Sequence, residues 1–224
     1  MCHQFQPLPQ SVVEDVARQM AAGTLAATDY AVNQLELSEG EDTAGGNSLF
    51  PGDTATVIVG YPMPAPINLT WGFTVAWSKQ PVFNTRIETA CDPASVWADA
   101  LEKRRCIVPV LAFFETHRSE TTLSAKTRRR VKRPYRFASA QGRVLYLAGI
   151  YGSGCFSLVT TEPDSVVGAV HDRSPLALTA EGAEAWLKFG HIACSEAQRA
   201  ALEATPAGVS GADMATDSQQ LSLF

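Results

Sequence analysis

In the stretch SVVEDVARQM, apolar residues fall at Val12, Val13, Val16 and Met20, the three-to-four spacing of one face of an amphipathic helix. Ser11 and Glu14 stand in capping-box spacing at its start, and Gly23 follows where such a helix would stop. The period then changes. TATVIVGY, INLTWGFTVAW, CIVPVLAFFET, PYRFASA, RVLYLAGIYG and CFSLVTTE are rich in β-branched and aromatic residues and predict strands, with a turn at Gln141-Gly142. DPASVWADALEKRR predicts a helix with Asp92 as N-cap, Pro93 in the first turn and basic residues at its end. Two later helices are expected over AEGAEAWLKF and SEAQRAALEA, the second with Ser195 and Gln198 in capping-box spacing. Many strands with irregularly placed helices predict an α+β fold around a curved, largely antiparallel sheet.

Two segments carry no period. Residues 36–47, ELSEGEDTAGGN, are acidic and Gly-rich and predict a surface loop. From Thr205 the composition shifts to Gly, Ala, Ser and Asp, so residues 1–204 are expected to form a single domain and 205–224 a flexible tail.

With 224 residues and 46% hydrophobic content, the chain supports one well-buried core. It shows neither an apolar run long enough to span a membrane nor a basic start followed by an apolar stretch, so a cytoplasmic location is expected. Cysteines 2, 91, 106, 155 and 194 include no C-x-x-C pair, and the four histidines no H-E-x-x-H pattern, so neither a metal nor another cofactor is expected. The net charge of -5 argues against a polyanionic partner until the distribution is considered. Of the 18 Lys and Arg residues, 11 lie between positions 103 and 136, with Glu115 and Glu120 the only acids there. KTRRRVKR, with Arg129, Arg130, Lys132 and Arg133, therefore points to a phosphate-contacting surface, a solvated loop being the alternative.

Three stretches place polar groups where strand patterning does not ask for them. NTRIET holds Asn84, Arg86 and Glu88 at period two, so all three would leave one face of an extended segment. AFFET sets Glu115 behind an apolar run, where burial would raise its pKa toward neutrality. HDRSP presents His171 and Arg173 in a turn before a proline. Cys2, directly behind Met1, would carry an amine and a thiol on adjacent carbons once Met1 is removed. Together these residues supply a nucleophile, an acid/base and a hydrogen-bonding activator.

The words MC, LFPG, WGFTVAW, NTRIET, RRCIVPVLAFFE, KRPYRF, LAGIY, VTTEP and HDRSPLAL occur in the order seen in the SOS-response-associated peptidase (SRAP) family, which the chain resembles over about residues 1 to 190. The resemblance implies an α+β, SRAP-like fold with a barrel-like sheet and flanking helices. It implies an abasic-site sensor of the DNA damage response, a peptidase- or lyase-like enzyme that exposes Cys2 by self-cleavage and cross-links to single-stranded DNA. The amine and thiol of Cys2 would close a thiazolidine on the ring-opened sugar, Asn84 would hold the sugar and amine, Glu115 would shuttle protons and His171 would bond the opened sugar oxygen. Arg86 and Arg173 would clamp phosphates, Thr160 would place a hydroxyl in the pocket, and Trp71 and Trp77 would offer base platforms, core packing being the equal alternative for both. The chain departs from the family at His3 and Gln4, where Gly-Arg is usual, and at Ser48 and Leu49.

That departure motivates an alternative, a non-catalytic DNA-binding or clamp-associated module that kept the fold without the cross-link. The terminal QLSLF matches the short word with which bacterial repair proteins dock on the DNA sliding clamp, with Gln220 at a pocket rim and Leu221, Leu223 and Phe224 as apolar anchors. Expected partners are thus single-stranded DNA carrying abasic sites and the clamp, with the protein at the nucleoid during damage.

Overall fold

The computed structural model describes residues 2–28, 30–35, 48–124, 127–190 and 198–207. The predicted loop 36–47, Lys126, His191, Cys194 and the QLSLF terminus lie outside these residues. The strands are β1 (Gln4–Pro7), β2 (Thr54–Val59), β3 (Ala65–Trp71), β4 (Asn84–Arg86), β5 (Arg105–Leu123), β6 (Arg130–Ser139), β7 (Leu145–Gly152), β8 (Cys155–Thr161), β9 (Ser174–Pro175), β10 (Ala177–Leu178) and β11 (Leu202–Pro206). The helices are α1 (Gln10–Ala22), α2 (Leu25–Thr28), α3 (Ile87–Ala90), α4 (Ala98–Lys103), α5 (Ser165–Gly168) and α6 (Ala180–Phe189).

Strands β7, β8, β3, β2 and β5 pair in succession, and β5 pairs again with β7, so the sheet closes into a ring. Only β3–β8 and β4–β8 are parallel among the described pairings. Period two explains the layering. Ile58, Ile107, Tyr146, Ala148 and Ile150 face out and are covered by Val13, Val16 and Met20 of α1 and Ala183, Trp186 and Leu187 of α6. The alternate set, Val57, Val108, Leu145, Leu147 and Phe156, meets Phe5, Trp71 and Phe113 on the other face. Because both faces are buried, β5 and β7 read as almost continuous apolar runs. Gly149 marks a close crossing of β7 over β5, since a Cβ there would lie 2.7 Å from Cys106 Sγ.

Several local expectations change. Helix α1 begins at Gln10 behind Pro9, whose fixed φ suits a helix entry, and Gln10 Nε2 donates to Glu14 Oε1 at 2.8 Å, so the Ser11–Glu14 capping box does not form. Its end is as expected, with Gly23 in the left-handed region at φ 69. The helix expected over 92–105 contracts to α4, because Asp92 and Ser95 side chains accept the Ala94 and Trp97 amides and turn the chain instead. The described part of SEAQRAALEA forms no α-helix. Leu202–Pro206 pairs with β6 as β11, a case of tertiary pairing overriding local propensity. Strand β11 therefore spans the expected boundary at 204, and Ala207 N donates to Pro134 O beyond it. INLTWGFTVAW leaves the sheet at Trp71, where Gly72 takes φ 120. Among the described residues, no helix is long and apolar enough to cross a membrane.

Candidate active site

Strand β1 carries Cys2 into the molecule. Gln4 and Phe5 pair with Phe114 and Phe113 of β5, which brings Cys2, two residues ahead of Gln4, close to Glu115. Strand β4 runs parallel to β8, and the buried Thr85 Oγ1 and Ser157 Oγ are 2.9 Å apart beneath it. With Thr85 facing in, Asn84 faces out, and its Nδ2 donates to the Cys2 carbonyl at 2.7 Å. The third edge is the turn after α5, whose N-cap Asp164 accepts from Val167 N. There the His171 amide donates to Val167 O at 2.8 Å, and β9 anchors the far side of the turn on β8.

These elements bring four of the sequence-predicted residues together. His171 Nε2 lies 4.0 Å from Glu115 Oε2. Glu115 is 1% exposed, and its burial pushes the carboxyl up to about 7 against the opposing positive charge of the chain terminus. Burial lowers the His171 pKa, helped by the same terminal charge, so the ring is neutral at pH 7. Cys2 is fully buried with Sγ 3.4 Å from Gln4 O, and burial together with nearby Glu115 pushes its thiol up, far above the ordinary range. The sulfur is therefore held as a thiol rather than a thiolate, and a nearby base must take its proton when it reacts. Gln4 Nε2 donates to Ser48 Oγ at 3.0 Å, tying together two of the positions that depart from the family pattern.

The residues expected to meet DNA are placed less uniformly. NTRIET is extended only to Arg86, and Glu88 lies in α3, so the period-two face is interrupted. Arg86 is exposed. Arg173 is largely buried, and its guanidinium donates to both Glu88 oxygens at 2.9 Å and to Thr160 O at 2.9 Å. Its fork is thus spent inside the protein, which corrects the expectation of an arginine open to phosphate. Glu88 is half exposed, so this pair adds about 1 kcal/mol or less to stability. Thr160 is fully buried, with an Oγ1 that has no hydrogen-bond partner among the described residues, and offers no surface to a strand of DNA.

Trp71 is a core residue. It is 0% exposed, its Nε1 donates to Phe83 O at 2.8 Å and its ring sits 4.7 Å from Phe5, so no base can stack on it. Trp77 is 65% exposed and meets Trp97 edge-on, leaving its surface open as the base-platform expectation requires. The basic segment divides. Arg105, at the far end of β5 from Glu115, donates to the carbonyls of Leu101, Trp186 and Leu187 and joins α4 to α6. Beyond Thr116 the β5–β6 pair becomes a two-stranded ribbon with Thr121 opposite Lys132 and Leu123 opposite Arg130. Arg129, Arg130 and Lys132 are exposed on it, whereas Arg133 Nε lies 3.6 Å from Glu120.

Arg118 is a residue that sequence reasoning did not separate from the basic cluster. Its amide donates to Val170 O at 3.0 Å and its Nη2 to Gly168 O at 2.9 Å, so the ribbon base holds the His171 turn. It lies in the stretch between Thr116 and Thr121 where the β5–β6 register shifts. Among the described residues, no three His, Cys, Asp or Glu side chains gather as a metal site.

This arrangement has counterparts. The chain is 30% identical over 133 residues to abasic site processing protein YoqW of Bacillus subtilis, covering 53% of this chain and 55% of that protein. It is 27% identical over 128 residues to abasic site processing protein YedK of Escherichia coli, covering 53% of each. The matched stretch spans about half the length of these curated relatives. A crystal structure of a phage-related protein from Bordetella bronchiseptica shares the fold, with a TM-score of 0.60 at 18% identity over 93% of this chain and 94% of that one. A Bacteroides thetaiotaomicron protein gives 0.57 at 19% identity over 92% and 91%. The sequence pattern of the SOS response associated peptidase (SRAP) family matches residues 15–216, and the chain belongs to that family.

Proposed function

We propose that this protein captures abasic sites in single-stranded DNA as a covalent thiazolidine on Cys2. The observation that carries the reading is the convergence on Cys2: Asn84 Nδ2 on its carbonyl at 2.7 Å, with Glu115 and His171 4.0 Å apart beside it. Two relatives named abasic site processing proteins support the substrate.

Removal of Met1 places a free amine on the Cys2 α-carbon. The amine, whose ordinary pKa is near 8, is partly neutral at pH 7 and adds to the ring-opened aldehyde. Loss of water leaves an imine, and Glu115, poised near neutrality, supplies the proton that lets the oxygen depart. The thiol then adds to the same carbon as its proton passes to a base. One C–N and one C–S bond replace the C=O bond, with water as the only product lost. The second addition is intramolecular, where effective molarities reach roughly 10⁵ M or more. His171 faces the same space and donates to the opened sugar oxygen. Arg86, Trp77 and the exposed Arg129, Arg130 and Lys132 hold the flanking strand.

The terminal QLSLF extends this reading to recruitment, its support being the sequence word and the Gly-, Ala- and Ser-containing stretch before it. Incubation with single-stranded DNA carrying one abasic site tests the central claim. A heat-stable adduct on a denaturing gel is expected, and its absence at complete Met1 removal overturns the reading in favour of non-covalent binding.

A further inference from the structure

The ring of His171 is placed ambiguously by its immediate neighbours. Its Nδ1 lies 3.0 Å from the Arg173 amide, which donates, but also 3.1 Å from Asp172 Oδ1 and 3.2 Å from Arg173 O, which accept. If the Arg173 N–H holds Nδ1, the ring proton must sit on Nε2, the nitrogen that faces Glu115. If that N–H slips away, the two acceptors draw the proton to Nδ1, and the nitrogen facing the site loses its donor. The choice is set by where the backbone of Arg173 stands.

That backbone is fixed through its own side chain. Two parallel bonds of 2.9 Å tie the guanidinium to Glu88, and a third of 2.9 Å ties it to the Thr160 carbonyl on β8. A two-toothed pair fixes orientation as well as distance, which a single contact does not. Ahead of His171 in the turn, Arg118 bonds the carbonyls of Gly168 and Val170, not the backbone of residue 173. We propose that Glu88 is a positioning residue for His171, acting through its paired bonds to Arg173 to keep the imidazole proton on the nitrogen that faces Glu115. This rests on the cross-linking role proposed above, yet the placement of the ring proton is measurable without DNA.

The experiment compares wild type with Glu88→Ala and with Glu88→Gln, which keeps the size and one acceptor. The ring ¹⁵N shifts of His171 are read by NMR on the free protein. Adduct formation is timed at saturating abasic DNA, and affinity is measured on the same strand without the lesion. Expected are a shift of the His171 nitrogens from the Nε2–H pattern toward a mixture in Glu88→Ala, a smaller shift in Glu88→Gln, and adduct formation about tenfold slower with affinity within twofold. Unchanged nitrogen shifts in either folded variant overturn the positioning role, as does an unchanged rate where wild type reacts. A wild type that forms no adduct overturns the cross-linking reading instead, while the nitrogen shifts still decide whether Glu88 orients His171. If Glu88→Ala does not fold, Glu88→Gln alone decides.

Discussion

His171 Nε2 and Glu115 Oε2 stand 4.0 Å apart. That gap is too long for a direct hydrogen bond, but one oxygen atom can sit within bonding distance of both. On the reading proposed above, a donor and a proton carrier address the same sugar oxygen, one from a neutral ring and the other from a carboxyl held near 7.

The first prediction follows from that carboxyl. An acid raised from about 4.5 to about 7 on folding binds more protons in the native than in the unfolded state across that interval. Stability is therefore full below pH 4.5 and falls as pH rises through 7. Glu115→Gln removes the term, so the variant should gain stability relative to wild type at pH 8, by on the order of 3 kcal/mol at most, and lose that advantage toward pH 4.5. The inflection near pH 7 in the adduct-formation rate should vanish in the same variant. Denaturant melts and rate profiles at several pH values check both, and parallel curves would make Glu115 a structural acid.

Cys2→Ala keeps a small second residue, and hence Met1 removal, but deletes the sulfur. The amine still forms an imine, which heat and water reverse. Heat-stable adduct should fall by about 100-fold or more, while borohydride-trapped adduct persists and affinity for undamaged single strands is unchanged. Heat-stable cross-linking at the wild-type level would rule out the thiazolidine.

The ribbon supplies charge without chemistry. Replacing Arg129, Arg130 and Lys132 together by alanine should weaken single-strand binding and lower the slope of log affinity against log salt by about 2, from about 0.7 per phosphate contact. The adduct rate at saturating DNA should stay within about twofold of wild type. Fluorescence anisotropy over a salt series measures the slope, and an unchanged slope would return these residues to the status of a solvated hairpin.

Deleting residues 220 to 224 should abolish binding to the bacterial sliding clamp, expected at micromolar affinity or about -8 kcal/mol, and leave cross-linking in solution intact. A calorimetric titration of full-length and shortened protein against purified clamp distinguishes the two.

The strands and the α+β class were legible because burial on both faces of a ring writes long apolar runs, as in CIVPVLAFFE and RVLYLAGIY. Helix ends were less so, since Pro9 and the side chains of Asp92 and Ser95 decide them through contacts that patterns do not encode. Asn84, Glu115 and His171 stood out as polar residues against apolar or extended surroundings, and all three meet Cys2 or one another. Arg173 reads as a surface group because arginine serves DNA well, and Trp71 reads equally as base platform or core. Their burial depends on partners far along the chain, Phe5 in one case and Glu88 in the other.

The pairing of β1 with the middle of β5 joins residues more than 100 positions apart. During synthesis the first residues leave the ribosome long before Phe113 and Phe114 exist to receive them, so the start of the chain spends that interval as an unpaired strand. Once β1 docks, Cys2 has no accessible surface. Under the cross-linking reading proposed above, Met1 is therefore best removed while β1 is still unpaired, before the chain folds over Cys2.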